Sequence, residues 1–415
     1  MKITRRAFST SALAAAITAA LAACGSNSMN ESDSGGTSTS GSDAGLTLLI
    51  GSSGDAETAA YTAALESFTA ETGIAVELQL ATDLQQELAQ GFAANSPADV
   101  FYLAPDYLAA YAGNGSLYAY GDQLSNAEDF YPSLVSSLTY DGVLYGAPKD
   151  FSTLALFINT AMWEEAGLTE SDYPTDWASL ESVAEKLAGA GVTPLTCSPE
   201  YARIGAFMAQ AGGGLTNADG TEATADSEGS IAGLTEVKNL LESEALVFSS
   251  DLGAGWGGEA FGSGLAAMAI EGNWLVGSLS ADYPDVEYVA VELPAGPAGK
   301  GTMQFTNGYG IAEASAHKED AVRLVEFLTS TEQQLAFAQA FGVMPSVSSA
   351  REQWESENPT MTAFIAGADY AISVPTAAGA ADVVADFNSQ IATLASSDPQ
   401  TILGSVQTNL EAVIA

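Results

Sequence analysis

The sequence predicts an α/β protein. Three observations carry that reading: a strand–helix–strand pattern opens the folded region, several amphipathic helices follow, and no self-similar period of about 20 to 50 residues indicates a solenoid.

In the opening unit "LTLLI" is an apolar strand, "GSSGD" a turn, Ala56 to Thr72 a helical pattern closed by Gly73, and "IAVELQL" an alternating strand. A βαβ unit of this kind implies a parallel sheet with ligand chemistry at the carboxyl ends of its strands. "GSSGD" lacks the G-x-x-x-x-G-K pattern and a nearby lysine, so it is not a phosphate loop. It reads either as a tight connection or as a pocket rim with Ser52, Ser53 and Glu57 facing inward.

Further on, Val100 to Leu103 form an apolar strand before a turn carrying Asp106 and a helix. "YPTDWASLESVAEKLAGAG" is an amphipathic helix that Pro174 and Thr175 start and Gly189 stops. "EDAVRLVEFLTSTEQQLAFAQAFG" holds two more, the second opened by a capping box of Ser330 with Gln333. Residues 46–415, about 370 in number, suit two lobes better than one core.

The N-terminus is an export signal over residues 1–23: Lys2, Arg5 and Arg6 precede an apolar run from Ala12 to Ala23. That run is shorter than the ~20 residues of a comfortable bilayer span. "TRRAFS" resembles a twin-arginine signal, and a basic start also serves the general pathway. Leu21-Ala22-Ala23-Cys24 resembles the lipobox of bacterial lipoproteins, which makes Cys24 the lipidation site and membrane anchor. The alternative is an ordinary signal with an incidental cysteine. With ~0.8 kcal/mol per buried methylene, two or more acyl chains hold a soluble domain at a membrane surface. Residues 24–45 are rich in Ser, Gly, Thr and Asp and read as a flexible linker reaching roughly 25 Å.

Charge excludes one partner class. There are 52 acidic residues against 11 basic, three of the basic ones within the signal. Phosphate backbones need clustered Lys and Arg, so nucleic acid is not a partner. The negative field disfavours anionic ligands and favours cations. Cys197 cannot pair with a lipidated Cys24, and a single histidine, His317, leaves no expected zinc site, so neither metal nor cofactor is called for.

The order of the segments "PADVFYLAPDYLAAYAGNGSLYAY", "LYGAPKDFSTLALFINTAMWEEAGL", "PTDWASLESVAEKL", "AFGSGLAAMAIEGNW", "TNGYGIAEASAHKEDAVRLVEFLTS" and "FGVMPS" resembles the extracellular solute-binding proteins of ABC importers. The likeness is to the family 1 carbohydrate-binding group, which includes maltose-binding protein, and it covers nearly the whole chain after the linker. It implies a two-lobe periplasmic-binding-protein-like (type II) fold with the ligand in the cleft between lobes. One lobe would combine 46–151 with 306–345, the other 152–305 with 346–415. The crossovers would fall near Phe151, near Thr306 and after Pro345.

The resemblance also implies a sugar site. Aromatic rings cover the C–H faces of a sugar while carboxylates, amides and guanidinium groups grip its hydroxyls. Trp274 in "IEGNW" matches the family's stacking aromatic, with Asn273 beside it as a polar contact. Tyr309, between glycines in "TNGYGIA", lies at the second crossover, Asp106 follows a strand end, and Asp150 lies at the hinge. Trp256, in a glycine-rich loop, is either a lid or a surface group. Arg203, one of three arginines after the signal, is a candidate cleft donor oriented by Glu200, next to Tyr201. "TAAGAADVVADF" offers small residues until Phe387, where maltose-binding protein turns an aromatic toward its sugar.

The function so implied is capture of a sugar or oligosaccharide by lobe closure and delivery to a membrane permease driven by a cytoplasmic ATPase. The protein would be a monomer on the outer face of the bacterial cytoplasmic membrane, and not an enzyme. Two alternatives remain at this stage: binding of a cationic solute such as a polyamine, and a secreted glycoside-acting enzyme using a carboxylate pair.

Overall fold

Strand β1 (Leu46–Ile50) buries every residue except the half-buried Thr47. The computed structural model describes residues 45–51 and 54–414, and Ser52, Ser53, the signal, Cys24 and the linker through Ala44 lie outside them. After β1 the helix Asp55–Thr72 carries Asp55 and Glu57 in its first turn, where carboxylates favour the helix dipole, and it ends at Gly73 in the left-handed conformation, φ 76°. Strand β2 (Val76–Leu80) pairs parallel with β1, and β3 (Val100–Leu103), buried throughout, pairs parallel on the other flank. The expected βαβ unit is therefore present.

The remaining strands of this sheet are β4 (Gly146–Asn159), β5 (Leu195–Cys197), β6 (Leu246–Phe248), β7 (Met268–Gly272), β8 (Tyr288–Val291), β9 (Thr302–Ile311) and β10 (Ala371–Ile372). The order is β2-β1-β3-β9-β4-β7-β5-β6, with β8 beside β4 and β10 beside β9. Strand β4 changes partners along its length. From Gly146 to Thr153 it runs antiparallel to β9, and from Leu154 to Ile158 antiparallel to β7. Strand β9 likewise pairs with β10 at its start and with β3 at its end.

Two cores flank these long strands. At the β1–β3 end, Tyr61, Leu65 and Phe68 pack against Leu324, Val325 and Leu328 of the helix Lys318–Leu328. At the β5–β6 end, Leu180, Ile204, Phe207, Val237 and Leu403 come together from four helices. A third cluster, including Phe151, Phe157, Phe261, Trp354 and Phe364, lies against the middle strands. Each such fully buried side chain contributes roughly 1.5–3 kcal/mol.

One helix end differs from expectation. The helix Trp177–Gly189 starts at Asp176, whose carboxylate accepts from the Ser179 amide at 2.8 Å, and it runs through Gly189. The chain turns instead at Gly191, φ 82°, which leaves Gly189 in the last helical turn. Ser330 caps its helix by accepting from the Gln333 amide at 3.4 Å. Cys197 is buried, and burial pushes its thiol up. His317 precedes the helix Lys318–Leu328. No described helix is long and apolar enough to cross a membrane.

Candidate functional site

A cavity of about 540 Å³ opens where β4 and β9 pass between the two cores. Its size falls in the ~300–1,000 Å³ range of small-molecule sites. The floor is formed by Asp150–Ser152 of β4 and Gln304–Asn307 of β9. Ala104–Asp106 and Phe341–Val343 stand on one side, and Asn273, Trp274, Ser373, Val374 and Thr376 on the other.

The floor carries a buried charge network. Lys149 pairs with the Asp150 carboxylate and lies 3.7 Å from Glu57 Oε1. Its Nζ sits 4.4 Å from the centroid of the Tyr102 ring, and Tyr102 donates to Glu57 Oε1 at 2.7 Å. Burial raises the Asp150 pKa above the usual carboxylate range while the Lys149 charge pulls it back. The network holds one ammonium against two carboxylates. Asp106 adds a carboxylate on the exposed rim, raised by desolvation. Among the described residues no lysine or arginine lines the cavity.

Beside this network lies a neutral polar cluster. Gln304, buried, donates through Nε2 to Ser373 Oγ at 2.9 Å, and Ser137 and Ser373 hydroxyls meet at 2.8 Å. Gln304 Oε1 is buried without a hydrogen-bond partner among the described residues. Leaving a buried amide oxygen unsatisfied costs ~1–3 kcal/mol.

Trp274 forms the apolar wall. Its indole is 37 % exposed and folds over Gly272, where any Cβ would lie 2.2 Å from the ring. Its Nε1 donates to Glu271 Oε2 at 3.1 Å, and its ring meets Phe305 edge-on. Asn273 is buried, and its side chain donates to the Gly342 carbonyl at 3.3 Å.

Of the residues singled out from sequence, Asp106, Asp150, Asn273 and Trp274 line this cavity. The others lie elsewhere. Tyr309 is fully buried, its ring in the core beside Tyr61 and Tyr102, past the point where β4 sets one extra residue, Lys149, between the Asn307–Asp150 and Gly308–Pro148 pairs. Its hydroxyl bonds to that of Tyr61 and its carbonyl accepts from Tyr120. Glu57 belongs to the network beneath the floor. Tyr201 is a core residue 5.9 Å from Phe387, and its amide donates to Asn388. Glu200 pairs with Arg203 at 3.2 Å. Arg203 faces Glu271 and the back of Trp274 rather than the cavity. Trp256 folds over Gly258 and packs against the third core cluster.

The sequence profile described as bacterial extracellular solute-binding protein matches residues 63–363. The chain belongs to that family. A similar relative of this solute-binding protein is the diacetylchitobiose binding protein DasA of Streptomyces coelicolor, 25 % identical over 79 % of this chain and 78 % of that one. Another is the maltooligosaccharide ABC transporter solute-binding lipoprotein of Streptococcus pneumoniae, 26 % identical over 58 % of this chain and 57 % of that one. The crystal structure of the cyclic α-maltosyl-1,6-maltose binding protein of Arthrobacter globiformis shares the fold, with TM-score 0.79 and 20 % identity, covering 89 % of this chain and 99 % of that one. The fold of this solute-binding protein is thus the two-lobe α/β type.

Sequence reasoning overlooked Gln304, Phe305, Ser137 and Ser373 in this solute-binding protein. Gln304 had a signal: it is a polar residue inside the apolar start of "TMQFTN". Ser137 and Ser373 had none, because only the tertiary fold brings them together.

Proposed function

We propose that this chain is the solute-binding component of an ABC importer and that it captures a neutral sugar or oligosaccharide, which it releases unaltered. The observation that carries the reading is the cavity itself. Its lining joins the Trp274–Phe305 aromatic corner to the neutral amides of Asn273 and Gln304 and the carboxylates of Asp106 and Asp150. Rings with C–H faces and hydroxyl edges match that combination. The names of the Streptomyces and Streptococcus relatives point to the same ligand class.

The ligand is gripped by closure of lobe 46–151 plus 306–345 on lobe 152–305 plus 346–415. The change of partners along β4 at Leu154 supports a hinge there. Closure follows only from tighter binding to the closed form. Cys24 anchors the protein by lipid to the outer face of the cytoplasmic membrane, where a permease pair with a cytoplasmic ATPase takes up the solute. The protein works as a monomer and without chemistry on its ligand.

The two carboxylates, in a cavity lined by no cation among the described residues, favour one rival, a polyamine or other organic cation. A thermal-shift screen separates the two, since a ligand of the native state raises the melting temperature. Neutral saccharides are expected to raise it. A rise with spermidine and none with any saccharide contradicts the sugar reading.

A further inference from the structure

We propose that Arg203 and Glu271 are positioning residues that lock the indole of Trp274 with its exposed face toward the cavity, so that affinity for a ring-bearing ligand depends on a pair that does not line the site. The inference rests on the reading of the cavity as a saccharide site.

The geometry converges on one atom. Glu271 Oε2 accepts from Arg203 Nε at 3.0 Å, from Arg203 Nη2 at 2.9 Å and from the indole Nε1 of Trp274 at 3.1 Å. The guanidinium carbon lies 5.1 Å from the Trp274 ring centroid, so the same cation covers the indole from behind. Glu200 holds the remaining guanidinium nitrogen at 3.2 Å. The indole is therefore tied by its N–H edge and backed on one face, while Phe305 abuts it edge-on.

Fold stability does not explain this pair. Glu271 is 0 % and Arg203 9 % exposed, and a buried ion pair is usually no better for stability than well-packed apolar residues. Glu271 Oε1 has no partner among the described residues, so the carboxylate is not placed for full satisfaction of its own oxygens. Space has also been kept for the arrangement. A Cβ at Gly257 would lie 2.7 Å from Glu271 Oε1, and one at Gly272 would overlap the indole. What the pair does accomplish is to fix a large, partly exposed side chain before any ligand arrives, which removes part of the ordering cost from binding.

The test uses the intact protein with diacetylchitobiose and maltotetraose as probes. Acrylamide quenching of wild type minus W274L isolates the Trp274 signal among five tryptophans. In ligand-free R203K, which keeps the charge but loses the fork and flat face, Trp274 is expected to become about twofold more quenchable, and E271Q is measured in the same way in case R203K fails to fold. Saccharide affinity is expected to fall about fivefold in R203K and by less than twofold when the same change is made in W274L. Unchanged quenching in the folded variants overturns the proposal, as does an equal affinity loss in both backgrounds, which marks Arg203 as a direct contact. If neither saccharide binds wild type, the saccharide reading fails, and quenching in the free protein still decides whether the pair locks the indole.

Discussion

The rings of Trp274 and Phe305 meet edge to face, with centroids 5.3 Å apart and planes at 75°, and both line the cavity. The pair joins a side chain after β7 to one on β9, so the aromatic corner depends on the sheet order and not on either segment alone.

Removing the larger ring is expected to remove most of the apolar contact with a sugar. Trp274→Ala should weaken saccharide binding by about 2 kcal/mol, roughly thirtyfold in Kd, as for a tryptophan hot spot. Phe305→Leu should cost about 1 kcal/mol, the worth of an aromatic pair. Titration calorimetry checks both, and a smaller effect for Trp274 than for Phe305 contradicts the assignment of the stacking wall.

Charge at the site gives a second expectation. Among the described residues no cation lines the cavity and Asp106 and Asp150 do, so a uronic-acid or phosphorylated counterpart of a bound neutral sugar should bind at least about tenfold more weakly. An amino-sugar counterpart should bind as well as the neutral one. Competition calorimetry measures the ratio.

Lys149 compensates two carboxylates from a buried position. Lys149→Met removes the cation paired with the buried Asp150 carboxylate and should cost about 3–5 kcal/mol near neutral pH. Burial already raises the Asp150 pKa, and loss of the cation raises it further. The charged form is then the penalised one, so the stability deficit shrinks as pH falls through the raised pKa and Asp150 takes up a proton. Thermal melts at about pH 7 and about pH 4 read the difference.

Glu236, on the helix Glu228–Glu242, is raised from 4.5 to about 7 by burial and by the neighbouring Glu181. Because the folded pKa exceeds the unfolded one, its contribution to stability is full below about pH 4.5 and lost as pH rises through about 7. Glu236→Gln should therefore stabilise the protein by an amount on the order of 1 kcal/mol at about pH 8 and leave it unchanged at about pH 4. Denaturant titration at the two pH values checks the sign.

Local structure was legible where the physics is local. The strands at Leu46–Ile50 and Val100–Leu103 and the helix closed by Gly73 follow from apolar runs and a left-handed glycine. Asp150, Asn273 and Trp274 reached the cavity from the segments that carried the family resemblance. Tyr309 did not: its ring packs on Tyr61 and Tyr102 in the core, past the point where Lys149 of β4 is bulged out of register, and such a bulge leaves no mark in composition. Arg203 was picked out by the scarcity of arginine, but its partner Glu271 is 68 positions away in the chain and was hidden until the fold joined them.

The central claim is most directly tested by titrating the intact protein with neutral saccharides and with spermidine while following tryptophan emission and analysing the ligand afterwards. The account predicts a saturating emission change with a saccharide, its loss in Trp274→Leu, and recovery of the saccharide unaltered. Saturation by spermidine alone, or a cleaved saccharide, would contradict it.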